Sequence, residues 1–544
     1  MEMTGAEILV QGLLRENVDQ MFGYAGATIC PLMDALKATP QIHYTLVRTE
    51  QNAGHMASGY ARVTGKVGVC LVTSGPGATN LITGIATAYM DSIPMVAITG
   101  QVPSGLLGRD IFQEVDITTA VSPFTKHNYL VKDAAQLPQI LKEAFYIAST
   151  GRPGPVLIDV PIDIQEQKVE HVIFPEEVQI RGYHPSIRGN EKQIRRVAEV
   201  ISKARQPLIC AGGGVWLAHA RDELLELAER YSIPLVKTMM GISLMPTDHP
   251  LNMGMIGAHG NACANKALVK ADLLIMVGCR AADRTILSPS EIQRRMATIH
   301  IDVDPAEIGK NMDAAIPLVG DVKVILRQLL ELDAPAPDSE DWRRQLKEYR
   351  QAELTRTFPR REGSVFPGTV LRELGRQLGD DAAVCVDVGQ NQIFTCKYLP
   401  QKKGRLLTSG GLGTMGYAVP AAIGVKIAQP ERQVVAICGD GSFQMSMNEL
   451  TAVRCTGMDL KILVFQNHTL GLVHQIQKTA PYHGPVGVDL EGSPDFTVIA
   501  SAYGIPSLVL DDEDQIPDTL ERFLGTKGSC ILICEVHPDV GTND

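Results

Sequence analysis

Short runs of β-branched and aliphatic residues recur along the chain, and stretches with helical spacing lie between them. VGVCLVTSG (67–75), MVAITG (95–100) and PVLIDVP (155–161) are apolar at successive rather than alternate positions. A strand with that pattern is covered on both faces, as in a parallel sheet flanked by crossover helices. The texture returns in PLICAGGG (207–214), DLLIMVG (272–278) and TIHIDVD (298–304). It returns again in AVCVDVG (383–389), QVVAICGDG (433–441), LKILVFQN (460–467) and CILICEV (530–536). Two low-order stretches separate the runs into three groups: 165–190, and the charged, Pro-containing 331–367. The pattern predicts an α/β chain of three doubly wound parallel-sheet domains, about 1–165, 190–335 and 366–544, with those stretches as linkers. The opening MEMTGAEILVQGLLREN reads as an amphipathic helix. It has no basic leader or small-residue cleavage pattern, so no signal peptide is expected.

Composition narrows the class. At 544 residues, with 45% hydrophobic and 20% charged residues, the chain has the make-up of a soluble globular protein. A net charge of −11 argues against a nucleic-acid partner, and no apolar run approaches the ~18 residues that span a bilayer, so no membrane partner is expected either. The 11 cysteines are scattered and form no CxxC pair. Free buried thiols and a cytoplasmic location are expected. Glycine is the outlier, at 50 residues against 5% aromatics. Such a chain has many tight strand-to-helix turns, which in α/β proteins often bind phosphates.

One such turn carries chemistry. The strand QVVAIC runs into GDGSF at 439–443 and then into a helix-like stretch, QMSMNELTAVR. Backbone N–H groups at that turn suit a phosphate. The Asp440 carboxylate would repel a phosphate, so a bridging Mg²⁺ is implied, which joins carboxylates to phosphate oxygens. The next strand, LKILVFQNHTLG, ends at Asn467, whose side-chain carbonyl supplies another oxygen. If the two strands are parallel neighbours, both ends lie at one edge of the sheet. The alternative is a tight turn capped by Asp440 and Ser442; Asn467 and Gly471 favour the phosphate–metal site.

This GDG…N pattern resembles the signature of thiamine-diphosphate-dependent enzymes, which implies three domains of that type. The resemblance makes Asp440 and Asn467 side-chain ligands of Mg²⁺, with Thr469 ligating through its backbone oxygen. Gly441, Ser442, Leu470, Gly471 and Leu472 would line the diphosphate. It also calls for a glutamate that works on the aminopyrimidine ring, and Glu50 in RTEQNAGHMASGYAR is the candidate. A carboxyl near an apolar ring can hold its proton at neutral pH.

Longer stretches resemble acetolactate synthase, also called acetohydroxyacid synthase. They include FGYAGATICPLMDAL (22–36), TSGPGATNLITGIATAYMDSIPMVAITGQVP (73–103), HIDVDPAEIGKN (300–311) and TSGGLGTMGYAVPAAIG (408–424). The resemblance implies decarboxylation of pyruvate and transfer of the two-carbon unit to a second 2-keto acid, giving 2-acetolactate. It places Gly26 and Gln113 against cofactor or substrate, and Lys126 on the substrate channel. Gln390 and Asn391 would meet the diphosphate. Gly413, Thr414 and Met415 would underlie the cofactor, with Met415 as the wedge that bends it. It also implies FAD in a structural, non-redox role. Ser92, Arg152, Gly213, Thr238 and Met239 would contact the flavin, as would Gly257, His259, Arg280, Asp302 and Asp321. Sites between the subunits of a homodimer or homotetramer follow from the family, and a small regulatory subunit stays open.

The departures gather around the acceptor substrate. Ala27 stands in place of a glycine and Ile111 in place of a small residue before Phe112. Ile476 stands where the family has a Trp associated with 2-ketobutyrate. Arg280, Asp283 and Arg284 stand where the family has Arg-Phe-Asp-Asp-Arg, with Ala281 and Ala282 between. The family's further C-terminal segment is not expected after HPDVGTND. These differences keep a decarboxylase, a C–C hydrolase or a ligase with another acceptor in play. A non-catalytic relative would be expected to lack Glu50, Asp440 or Asn467.

Overall fold

The computed structural model describes residues 2–355 and 357–542, and its sequence folds into three six-stranded parallel sheets with helices between the strands. The first sheet runs His43–Leu46, Gln20–Tyr24, Gly68–Val72, Met95–Gln101, Pro155–Pro161, His127–Leu130. The second runs Asn252–Met255, Leu235–Lys237, Pro207–Ala211, Leu273–Val277, Ala297–Asp302, Ile316–Val319. The third runs Arg405–Leu407, Ala383–Val386, Val434–Gly439, Lys461–Gln466, Cys530–Glu535, Ser507–Leu510.

Every apolar run singled out above is a strand, and within each sheet these strands are contiguous neighbours. The strands that the pattern did not mark flank them. His43–Leu46 and Ser507–Leu510, at sheet edges, are only partly buried, which breaks up the apolar run. The opening helix is Gly5–Arg15. Thr4 caps it by accepting from the Glu7 N–H, while the Glu7 carboxylate accepts from the Thr4 N–H at 2.7 Å.

The second linker departs from its low-order reading. Glu340–Leu354 is a helix, and Trp342 and Leu346 on it are buried in the core of the second sheet's domain. Trp342 Nε1 donates to the Pro207 carbonyl at 3.1 Å. The apolar positions 342, 346 and 349 have helical spacing, but charged neighbours dilute the signal.

The first and third sheets share one core. Helix Glu50–Thr64 lies along helix Ala418–Ala428, and both contribute to a single cluster of buried residues. Glycines allow the approach: a Cβ on Gly59 would strike the Ala421 carbonyl, and one on Gly424 would strike the Met56 carbonyl. All 11 cysteines are free, and all but Cys30 and Cys455 are buried. Among the described residues, no helix is long and apolar enough to cross a membrane.

Candidate active site

Val434–Gly439 and Lys461–Gln466 are hydrogen-bonded neighbours, with Gly439 opposite Phe465. That register delivers Asp440 and Asn467 to the same end of the sheet. Asp440 is buried, and its Oδ2 accepts from the backbone N–H of Asn467 at 3.1 Å and of His468 at 2.6 Å. His468 adopts φ = 57°, the left-handed region that a non-glycine residue enters only under constraint. Burial pushes the Asp440 carboxyl up to about 6, against the pull of those N–H groups. A cation beside it would reverse that shift. Helix Asp440–Gln444 begins at the turn, and the Ser442 hydroxyl accepts from the Gly439 N–H at 3.1 Å. The helix is short: a 3₁₀ turn, Met447–Glu449, separates it from helix Leu450–Thr456, where the sequence suggested one continuous helix.

Asn467 Nδ2 donates to Gln390 Oε1 at 3.3 Å, and Gln390 Nε2 donates to the Val540 carbonyl at 3.0 Å and to Gln475 Oε1 at 3.1 Å. Asn391 Nδ2 holds the Asp387 carbonyl at 2.7 Å. Gly471 begins the next helix in the gap between these side chains. A Cβ there would lie 2.5 Å from Asn467 Nδ2 and closer still to Gln390 Oε1. At Gly441 a Cβ would meet Leu470 at 2.8 Å and Met415 at 3.6 Å, so these three surround one spot. The turn is therefore a cradle of small residues, backbone N–H groups and oxygen donors. Its carboxylate and carboxamide supply oxygen donors and leave positions for phosphate and water, which fits Mg²⁺ with a diphosphate.

Glu50 opens helix Glu50–Thr64 at the edge of the first sheet, and its Oε2 accepts from Asn80 Nδ2 at 3.1 Å. Gly77 stands beside it, where a Cβ would be 3.4 Å from Glu50 Oε1. Gln113, with φ = 62°, packs on Gly75. Gly26 packs on Thr73. No hydrogen bond joins this group to the Asp440 cradle among the described residues.

A cavity of about 1010 Å³ runs between the domains. Ser92 and Arg152 line it from the first; Gly213, Thr238, Met239, His259, Arg280, Asp302 and Asp321 from the second; Gly413 and Leu472 from the third. Gly257, at φ = 113°, brings the backbone against the carbonyl of Arg284, another lining residue. Ser92, at φ = 60°, accepts from Arg152 Nε at 2.9 Å. The same guanidinium pairs with Glu307 at 2.7 Å. Burial pushes the Asp302 carboxyl up to about 6. The volume lies at the upper end of ligand pockets.

The chain matches three family models in order. They are "Thiamine pyrophosphate enzyme, N-terminal TPP binding domain" over residues 3–120, the central domain over 194–329 and the C-terminal TPP binding domain over 387–534. It is 42% identical to an acetolactate synthase of Arthrospira platensis, with 99% of this chain and 95% of that protein covered. It is 41% identical to a probable acetolactate synthase large subunit of Methanocaldococcus jannaschii, over 98% and 92% of the two chains. It is 39% identical to the acetolactate synthase large subunit of Lactococcus lactis, over 95% and 90%. The chain belongs to the acetolactate synthase family of thiamine pyrophosphate enzymes.

Other sequence-marked residues stand apart from the cradle. Lys126 Nζ donates to the carbonyls of Ile147 and Thr150 and to the Tyr183 hydroxyl. Burial lowers it to about 8. Ala27, Phe112 and Ile476 are exposed on the single chain, Phe112 at 85%, and Ile111 is half-buried. Asp321 caps helix Val322–Leu330 through the Val324 N–H at 3.0 Å. Thr469, by contrast, adjoins the cradle: it is buried, its N–H donates to Asn467 Oδ1 at 3.2 Å and its hydroxyl to the Val488 carbonyl at 3.0 Å.

Asp387 ends the apolar run AVCVDVG and was assigned no role from the sequence. It is fully buried, and its carboxylate accepts from the N–H groups of Val388 (2.9 Å), Gly416 (2.9 Å) and Ala418 (3.1 Å). It thereby fixes the loop carrying Thr414 and Met415. Thr414 Oγ1 also lies 2.7 Å from Thr87 Oγ1 of the first domain. The signal for Asp387 in the sequence was an acid at the end of an apolar strand.

Proposed function

We propose that this chain is a thiamine-diphosphate-dependent carboligase that decarboxylates pyruvate and adds the two-carbon unit to a second 2-keto acid, giving 2-acetolactate. The pairing of buried Asp440 with Asn467 at adjacent strand ends carries the reading, and the end-to-end likeness to acetolactate synthases supports it. When bound, thiamine diphosphate supplies the electron sink that makes loss of CO₂ from a 2-keto acid possible. Asp440, Asn467 and the Thr469 carbonyl hold Mg²⁺, and Gln390, Asn391 and Gly471 shape the diphosphate berth. Ser442 and Leu470 steady the turn, and Met415 packs beneath. Glu50 holds a proton at the aminopyrimidine, with Asn80 orienting its carboxyl. FAD occupies the cavity that Arg152, His259 and Arg280 line, as a structural group.

The exposed acceptor positions Ala27, Phe112 and Ile476 suit a site completed by a second copy of the chain. Ile476 in place of Trp favours a small acceptor such as pyruvate itself, and Ile476→Trp is expected to move preference toward 2-ketobutyrate by about 10–200-fold. The test is product analysis of the purified chain with pyruvate, thiamine diphosphate, Mg²⁺ and FAD. Acetolactate is expected; CO₂ without acetolactate would overturn the reading in favour of a decarboxylase.

A further inference from the structure

Glu449 is the most deeply buried acid without a role so far. It ends the 3₁₀ turn Met447–Glu449, nine positions after Asp440, and is fully inaccessible to solvent. Its carboxylate leaves its own domain. Oε1 accepts from the N–H of Arg48 at 2.7 Å, from the N–H of Thr49 at 3.3 Å and from Asn52 Nδ2 at 2.9 Å. These three residues bracket Glu50.

The helix it meets needs such a partner. Thr49 is the N-cap residue of Glu50–Thr64, and its side chain makes no capping hydrogen bond. The first N–H groups of a helix have no partner within it, and a helix N-terminus attracts negative charge. Here the acceptor comes from a residue about 400 positions away in the chain, in the third domain. A Ser or Asp side chain at the N-cap would accept from the N–H groups of positions 51 and 52 instead, which leaves those of Arg48 and Thr49 to an acceptor from elsewhere. The attachment also leaves two acceptors, Glu449 Oε2 and Asn52 Oδ1, buried and unpartnered. Such groups cost about 1–3 kcal/mol each. A contact that serves stability alone has cheaper forms.

We infer that Glu449 is a positioning residue: it fixes the start of the helix, and with it the direction in which Glu50 presents its carboxyl to the cofactor ring. The inference rests on the reading of Glu50 given under the proposed function. A displacement of about 1 Å at a reacting group can cost about 10²-fold in rate. Glu449→Leu is therefore expected to slow kcat, and the exchange of the bound cofactor's thiazolium proton with deuterium, by about 50-fold or more. KM for pyruvate and the affinity for Mg²⁺–thiamine diphosphate should stay within about threefold, because Glu449 touches neither. Glu449→Gln keeps a neutral acceptor for the same N–H groups and should retain exchange within about tenfold.

Exchange by quench-flow NMR on the cofactor-loaded enzyme, in Glu449→Leu, Glu449→Gln, Glu50→Gln and the double variant Glu50→Gln/Glu449→Leu, tests this. If Glu449 acts through Glu50, the double variant exchanges as slowly as Glu50→Gln alone; additive losses would overturn the inference. Slow exchange in Glu50→Gln with parental exchange in Glu449→Leu would overturn it while leaving Glu50 its role. Parental exchange in Glu50→Gln would overturn the assignment of Glu50 and this inference with it. Should Glu449→Leu fail to fold, Glu449→Asp replaces it. Its shorter side chain withdraws the carboxylate from Arg48 and Thr49, and the same slowing is expected.

Discussion

Replacing Gly471 with alanine tests the diphosphate cradle by adding one methyl group. The new Cβ would stand 2.5 Å from Asn467 Nδ2 and nearer still to Gln390 Oε1, where ordinary contact begins near 3.4 Å. The two side chains must yield by about an ångström. Neither is free to do so: Gln390 is held by the Val540 carbonyl and Gln475 Oε1, and Asn467 by Gln390. Overpacking of this kind costs about 1–3 kcal/mol. Disturbing the groups that orient a metal ligand typically weakens metal binding by about 10–100-fold. Gly471→Ala should therefore raise the Kd for Mg²⁺–thiamine diphosphate by about 10–100-fold in calorimetric titration. Gly105→Ala, where a Cβ meets nothing within 4 Å, should bind like the parent. Unchanged affinity in Gly471→Ala would refute the placement of the cofactor's charged end beside Asn467.

Other perturbations have equally definite outcomes. Asp387→Ala strands two buried N–H groups and a half-buried one, so about 2–5 kcal/mol should be lost from the third domain in urea unfolding, with weaker cofactor binding as loop 413–418 loosens. Trp342→Ala should cost about 3–5 kcal/mol, read as faster hydrogen exchange around Pro207–Ala211, since its indole fills the second core and caps the Pro207 carbonyl. His55 is fully buried, and desolvation lowers it to about 3. Its folded value lies below the unfolded one near 6.5, so the stability it contributes is present above pH 6.5 and lost as pH falls toward 3. About 2 kcal/mol should be gone at pH 5, and His55→Met should flatten the fall in urea midpoint between pH 7 and 5.

The centre of each sheet was legible because a strand covered on both faces has to be apolar at every position. The flanking strands were not, since half-covered His43–Leu46 and Ser507–Leu510 mix polar and apolar residues as loops do. Asp440 and Asn467 could be paired from sequence because neighbouring parallel strands bring their ends together over a fixed, short separation. Asp387 and Glu449 could not be assigned that way. Their partners are backbone N–H groups in loops and at a helix start rather than the end of a neighbouring strand, and an acid in an apolar setting gives no hint of which N–H groups it will meet. For Lys126 the sequence shows the charge but not its partners within the chain, the carbonyls of Ile147 and Thr150 and the Tyr183 hydroxyl. Helix Glu340–Leu354 was hidden by the charges on its outer face.

The core shared by the first and third sheets has a consequence for how such a chain can change over generations. Phe22, Leu157, Tyr417 and Ile533 belong to one cluster of buried side chains, so neither domain has a complete interior without the other. The middle domain keeps interiors of its own, around Ile209 and Met276, and lends the buried Ile242 and Met255 to the third domain's second core. Recombination between relatives can therefore exchange the middle domain, cut near its bounding segments, provided those two contacts are matched. The outer two must be inherited together, even though the middle domain separates them in the gene.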